Sequence, residues 1–384
     1  MRIAVCHSFY DSTQPSGENV VVQDQVRALS EAGYDARLFS IRTDDVSYSR
    51  SELARTGLRV ASGRGRNPHA EISSFRPDVV HVHNTFPNWG TAWARHYSDR
   101  LVVTLHNYRT VCAAGTLHRD GSACTLCPDQ SSLNAVRHRC YRQSSLASMP
   151  LAIATRHQGS RNELLRSARA LITLNLDQQH FYTDAPTSGK VHMIPNFVES
   201  SERDPIEQKN GWIFVGRLTE EKGLLDLLRV WPTDEQLYVA GDGPLAAAVA
   251  SAQDRTDSVE LLGSLSRQEV RHRVARANAL ILPSRWSEGV PTVMLEALAD
   301  GVPVIAAPPV VAARPIVSAG AGVHFDFQNG RSTELVGALT SIRSNSAMYR
   351  VRALEIHRRR YSEAAWLESV SSVYKEVLAH VSRV

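Results

Sequence analysis

Short apolar runs of four to six residues, bounded by turn residues, alternate with amphipathic stretches along the chain, and this alternation constrains the fold more than any other feature. In the first half the runs are Ile3–Cys6, Arg37–Ile41, Val79–Val82, Leu101–Leu105, Ala170–Leu174 and Val191–Ile194, and an amphipathic stretch from Val20 to Ala32 is closed by Gly33. The pattern then restarts. Strands are predicted at Trp212–Val215, Leu237–Ala240, Val259–Leu262, Ala279–Leu282, Val302–Ala306 and Gly322–Phe325. Helices are predicted at Gly223–Val230, Leu245–Gln253, Arg267–Ala275, Thr292–Ala299 and Ser332–Ile342. Strands that alternate with helices pair in parallel through crossover helices, which is an α/β fold.

Glu199–Asn210, ESSERDPIEQKN, is polar and contains Pro205, so it reads as a linker between the two series. A length of 384 residues suits two domains at about 150 residues each. Two doubly wound, Rossmann-like domains are therefore expected to face each other across a cleft, with ligands beyond the carboxyl ends of the strands. The first spans 1–200 with an insertion at 107–145, the second spans 201–362, and 363–384 forms a helix returning toward the first. Apolar residues at 43% and charged residues at 21% argue against disorder. No window offers about 18 uncharged apolar residues for a membrane span, and the opening MRIAVCHS is too short for a signal peptide, so a cytoplasmic location is expected. Net charge is +4, from 43 basic and 39 acidic residues, and the basic excess is densest from Leu101 to Ala170. Such a stretch suits nucleic acid, an anionic membrane, an acidic ligand, or simply a solvated face of arginines.

Phosphate chemistry is suggested where Val215 ends a predicted strand and Gly216-Arg217-Leu218-Thr219-Glu220-Glu221-Lys222-Gly223 follows. Two cations and free backbone N–H groups at one strand terminus suit a diphosphate, because charge-assisted bonds contribute roughly 1.5–3 kcal/mol each. Downstream, Glu288 falls in a loop, Pro291 stands at a helix start, and Glu296 follows just over one turn in. The first N–H groups of that helix, at Thr292 and Val293, form an anion site. The two glutamates suit neutral polyols, whose hydroxyls donate to carboxylates.

The Glu-x7-Glu element at Glu288 and Glu296, followed by GVPVIA from Gly301, resembles the retaining nucleotide-sugar glycosyltransferases of family 4, which have the GT-B fold. FVGRLTEEKG from Phe214, GDGPL from Gly241 and IPNFVE from Ile194 are similar in kind and order, so the resemblance covers nearly the whole chain. It implies that Arg217 and Lys222 hold the donor diphosphate with no catalytic metal, and that Glu296 binds the nucleotide ribose. It places Glu288 and the N–H groups of Gly289 and Val290 on the donor sugar, Gly263 to Leu265 beside the base, and Gly17 at the glycine loop that approaches the diphosphate. His106 matches the histidine beside the reacting sugar, and His83 more loosely matches an acceptor-side position. His81 and His83, at i and i+2 on one strand, could also be half of a metal site. No carboxylate of the first domain stands out as a nucleophile, which disfavours the two-carboxylate scheme of glycoside hydrolysis. The resemblance implies front-face substitution with retention instead.

Cys112, Cys124, Cys127 and Cys140 fall in the insertion with spacing C-x11-C-x2-C-x12-C, while Cys6 reads as a core residue. In a cytosolic chain this spacing reads as a structural zinc site, with His118 and His138 as alternative ligands, or else as free or redox-active thiols or disulfides. The insertion looks like one in a bacterial subset of the family, where its position suggests an acceptor-side role. The expected reaction moves a hexose-type sugar from a UDP or GDP sugar to a saccharide, lipid-linked or small-molecule acceptor. Another GT-B activity, an epimerase or inverting transferase, is one alternative, and a zinc-bearing nucleic-acid-binding protein is another; as a transferase the chain is expected to bind no nucleic acid. Arg137, Arg139, Arg142, Arg156, Arg161, Arg166 and Arg169 accompany apolar Leu146, Met149, Leu151 and Ile153, a combination suited to peripheral attachment to an anionic membrane.

Overall fold

The computed structural model describes residues 1–11, 17–46, 49–184, 189–200, 210–254, 256–287 and 289–381. The chain divides into two compact units, Met1–Pro195 with Trp366–Val384, and Asn196–Ala365.

The first unit contains β1 (Arg2–Phe9), β2 (Asp35–Arg42), β3 (Val79–Asn84), β4 (Leu101–Leu105), a small antiparallel hairpin of β5 (His118–Arg119) and β6 (Ser122–Ala123), β7 (Ala170–Thr173) and β8 (Lys190–Met193). Its main sheet runs β2-β1-β3-β4-β7-β8, parallel throughout. β1 is buried from Ile3 onward and β4 along its whole length, whereas β2 at the edge alternates. Continuous apolar runs are what strands covered on both faces require. The helix Glu363–Val381 supplies part of that cover. Its Val370, Val373, Tyr374 and Val377 are buried, Tyr374 shares a 2.7 Å hydrogen bond with His81, and the Tyr34 hydroxyl donates to Ser371 at 2.9 Å.

The second unit contains β9 (Trp212–Val215), β10 (Leu237–Ala240), β11 (Val259–Gly263), β12 (Leu280–Leu282), β13 (Val304–Ala306) and β14 (Gly322–His324), in the order β11-β10-β9-β12-β13-β14. All pairs are parallel. After β9 the chain crosses toward β10, and after β11 it returns to the other side of β9 to make β12. This reversal opens a crevice beyond the carboxyl ends of β9 and β12, the position where doubly wound sheets bind ligands. In the first unit the corresponding reversal lies between β1 and β3. Local signals agree with the topology. Ser266 and Glu269 form a reciprocal capping box that starts the helix Arg267–Arg276, and Pro291 precedes the helix Thr292–Ala299.

Candidate functional site

The loops after β9 and β12 converge at the reversal of the second sheet. Gly216 N–H donates to Ala240 O at 3.0 Å and Leu218 N–H to Asp242 O at 2.9 Å, which lays the first loop on the one after β10. Gly241 makes that contact possible, since a Cβ there would lie 1.9 Å from Gly216 O. A single turn, Glu220–Lys222, then leads into Gly223, at φ 70°, and the helix Leu224–Val230. The β12 loop is fastened from the other side. Arg285 N–H donates to Glu221 O at 2.9 Å, and the Arg285 guanidinium makes two bonds, 2.6 and 2.8 Å, to the Asp226 carboxylate.

Arg217 and Lys222 thus sit on a turn braced by two neighbouring loops. The Arg217 side chain is 70% exposed, with Nη2 3.3 Å from Glu221 Oε1, an exposed pair that costs little to exchange for a ligand. Lys222 Cε passes 4.0 Å from the Cβ position of Gly216, so its stem runs alongside the loop's first glycine. Thr219 Oγ1 and Ser287 Oγ are buried there without hydrogen-bond partners among the described residues. Two hydroxyls left in this state at one crevice are suited to a polar ligand.

Thr292 and Val293 open the eight-residue helix Thr292–Ala299, and their N–H groups are among those a helix leaves without internal acceptors. Glu296, one turn further, is only 4% exposed, so it is not a solvated surface residue. Arg267 Nε holds its Oε1 at 3.0 Å. Burial raises the carboxyl above its ordinary range, and Arg267 works against that rise. Arg267 is the residue that sequence reading missed; its only signal is a basic residue at the start of the preceding helix. Gly263, at φ 69°, ends β11 with open space around its Cβ position, and Leu265 follows in the next turn half-buried. Gly289 and Val290 lie in the β12 loop, and Glu288 lies outside the described residues.

In the first unit, Gly17 is the first residue of the helix Gly17–Glu31. Four histidines gather at the carboxyl ends of β1, β3 and β4. His81 is bonded through both ring nitrogens, to Tyr374 and to Thr104 Oγ1 at 2.7 Å each, so it is a framework residue. His83 Nδ1 lies 2.9 Å from His106 Nε2, while His83 Nε2 is buried without a hydrogen-bond partner among the described residues. His7 Nε2 lies 3.0 Å from Asn19 Oδ1. Burial holds all four below the ordinary imidazole range, His7 at about 4 and His81 and His106 at about 3. They are therefore neutral and able to donate or accept one hydrogen bond per nitrogen. Glu18 was also unmarked in the sequence. Burial pushes its carboxyl up to about 7, moderated by Arg109, and its Oε1 has no hydrogen-bond partner among the described residues.

The five cysteines are free thiols. Cys112 is buried, and Cys124, Cys127 and Cys140 are half-buried. Burial and the neighbouring Cys112, Cys140 and Cys124 push the Cys127 thiol up to about 12, so the four sulfurs of the insertion share one neighbourhood. Among the described residues no three His, Cys, Asp or Glu side chains are grouped to hold a metal ion. The apolar face paired with the arginines is narrower than the sequence suggests: Leu146 is 88% and Met149 41% exposed, but Leu151 is buried. No helix among the described residues is long and apolar enough to cross a membrane.

Residues 15–202 match the family described as Glycosyltransferase Family 4, and residues 198–365 match Glycosyl transferases group 1. The putative teichuronic acid biosynthesis glycosyltransferase TuaC of Bacillus subtilis is 25% identical over 79% of this chain and 80% of its own. Sucrose-phosphate synthase from Thermosynechococcus elongatus has the same fold, with a TM-score of 0.68 at 17% identity over 98% of this chain and 99% of its own. Anabaena Alr3699/HepE, solved with UDP and glucose, gives a TM-score of 0.61 at 16% identity over 98% of this chain and 100% of its own.

Proposed function

The chain is a glycosyltransferase of the GT-B type, and on that premise we propose that its donor is a nucleotide diphosphate sugar, held at the reversal of the second sheet. The observation that carries this reading is the braced turn, on which Arg217 and Lys222 stand beside a helix N-terminus without needing to be ordered by the ligand. Arg217, Lys222 and the N–H groups of Thr292 and Val293 take the diphosphate. Glu296 takes the ribose, Gly263 and Leu265 border the base, and Glu288, Gly289 and Val290 take the sugar hydroxyls. Gly17 and His106 are the first unit's candidates for the diphosphate and the reacting sugar.

The reaction we assign is front-face substitution with retention. The bond from the anomeric carbon to the diphosphate oxygen breaks, and the acceptor oxygen bonds to the same face of that carbon. The acceptor's proton passes to the departing phosphate oxygen. Charge builds on that oxygen as the bond breaks, and fixed cations aimed at it lower the barrier. HepE, whose solved complex contains UDP and glucose, supports a UDP sugar as the first donor to test.

Calorimetric titration of UDP, GDP and the free nucleosides into the wild type, Arg217→Ala and Lys222→Ala tests the donor site. Loss of one charge-assisted bond, roughly 1.5–3 kcal/mol, should weaken diphosphate binding by at least about tenfold in each variant and leave nucleoside binding nearly unchanged. Unchanged diphosphate affinity in both variants would overturn the assignment. We also propose one structural zinc on Cys112, Cys124, Cys127 and Cys140, supported by their spacing and shared neighbourhood. Elemental analysis should find near one zinc per chain; metal-free protein with every thiol titratable would refute it.

A further inference from the structure

A cavity of about 490 Å³ lies entirely within the first unit, between the end of the helix Arg50–Ser62, the loop after β3, the segment after β4 and the stretch from Leu151 to Arg166. Its volume is that of a pocket for a small organic ligand. His83 and His106 form part of its wall, so it opens beside the carboxyl ends of β3 and β4.

Charge in the lining is one-sided. Five arginines contribute, Arg59, Arg109, Arg156, Arg161 and Arg166, against one carboxylate, Glu163. Two of the five are already answered. Arg59 is buried and bonded to Glu52 Oε1 at 2.7 Å. Arg166 lies 4.0 Å from Glu163, whose other oxygen accepts from Ser167 Oγ at 2.8 Å. Arg156 and Arg161 are exposed at the rim and pair with no carboxylate among the described residues. Arg109 is anchored within: Nη1 donates to Ala113 O at 3.0 Å, the guanidinium carbon stands 4.5 Å from the centre of the Phe86 ring, and Nε is buried with no hydrogen-bond acceptor among the described residues.

A second buried group points to the same ligand. His83 is 6% exposed and lines the cavity, and its Nε2 has no partner among the described residues. Native interiors seldom leave such groups unmatched, so a guanidinium N–H and an imidazole nitrogen left this way in one pocket indicate a polar occupant. The stacked guanidinium and aromatic ring add a flat surface of the kind that covers a sugar face.

Resting on the glycosyltransferase reading, we infer that this cavity is the acceptor subsite and that it selects a saccharide bearing an anionic group, a carboxylate or a phosphate. Arg156 and Arg161 receive the anion at the rim, and Arg109 and His83 bond to the sugar's hydroxyls within. A neutral saccharide would leave the two rim cations unused and gain only the inner contacts. An anionic one adds charge-assisted bonds that a guanidinium makes equally to carboxylate or phosphate.

The test is calorimetric titration of the full chain, with and without UDP, using three probes: a disaccharide ending in glucuronate, its neutral counterpart ending in glucose, and the same disaccharide carrying a phosphate. At least one anionic probe should bind about tenfold or more tightly than the neutral one. Arg156→Ala with Arg161→Ala should remove that preference while leaving UDP affinity unchanged, and these rim residues can be replaced without disturbing the core. Preference for glucuronate alone assigns a uronate acceptor, and preference for the phosphate probe assigns a phosphorylated or phosphate-linked one. Equal binding of the neutral and anionic probes, or a preference that survives the double substitution, overturns the inference. Failure of UDP to bind would count against the donor reading, and the comparison among the three saccharides would still decide the acceptor.

Discussion

His7, His81, His83 and His106 place proton-accepting groups where water scarcely reaches, and burial holds each below the ordinary imidazole range. Below pH 6.5 the unfolded chain takes up protons that these folded imidazoles refuse, so their contribution to stability is intact above that pH and is lost as it falls toward 4. The effect is about 1 kcal/mol per buried histidine for each pH unit. Glu18 acts in the opposite sense. With its carboxyl pushed up to about 7, the folded chain retains a proton that the unfolded chain releases, so this contribution falls as the pH rises from 4.5 to 7. Four histidines outweigh one glutamate, so melting temperature should drop on acidification from pH 6.5 to 4.5, and His7→Gln should make the drop shallower. A flat profile would mean that the imidazoles titrate normally. Arg217, Lys222 and Glu296 could be marked from the sequence because loop and helix-start signals surround them. Arg109, Glu18 and Arg267 could not, since each acquires its role from a residue distant in sequence or from the loss of water around it.

Strands and helices were legible wherever an apolar run met a turn residue. The helix expected at Leu245–Gln253 is Ala246–Gln253, and the strand expected at Trp212–Val215 has those bounds. What periodicity does not contain is how closely one loop approaches the next. Gly223 begins the helix Leu224–Val230 at φ 70°, and a Cβ there would stand 1.9 Å from Pro283 O at the end of β12. Gly263 has a similar φ of 69° with nothing within 4 Å of its Cβ position. The pair separates backbone strain from collision. Gly263→Ala should cost only the left-handed strain, about 1–2 kcal/mol. Gly223→Ala adds displacement of the β12 loop, so it should cost more than about 3 kcal/mol and weaken UDP binding as Lys222 shifts. Denaturant titration of both variants measures the difference, and equal losses would show that the two loops are not tightly apposed.

Two α/β units were legible from the repeated alternation, and a last helix returning toward the first was expected, but the residue that receives it was not legible, because Tyr374 meets His81 across 293 positions of sequence. The helix Glu363–Val381 follows the second unit in the chain and packs into the first. Val370, Val373, Tyr374 and Val377 are buried there, at about 1.5–3 kcal/mol for each large apolar side chain. Their sum rivals the whole stability of a typical domain, so truncation after residue 361 should unfold the first unit and leave the second folded. Hydrogen exchange resolved by segment checks this: protection lost in β1, β3 and β4 with β9 and β12 protected is the expected result, and protection retained in β1, β3 and β4 would contradict it. The same connectivity sets a timetable during synthesis. A ribosome adding about 5–20 residues per second delivers the first sheet roughly 10 to 40 s before Tyr374 emerges. Throughout that interval the nascent chain holds a complete second unit in the making and an earlier one still lacking its closing helix, with His81 Nδ1 awaiting its hydroxyl.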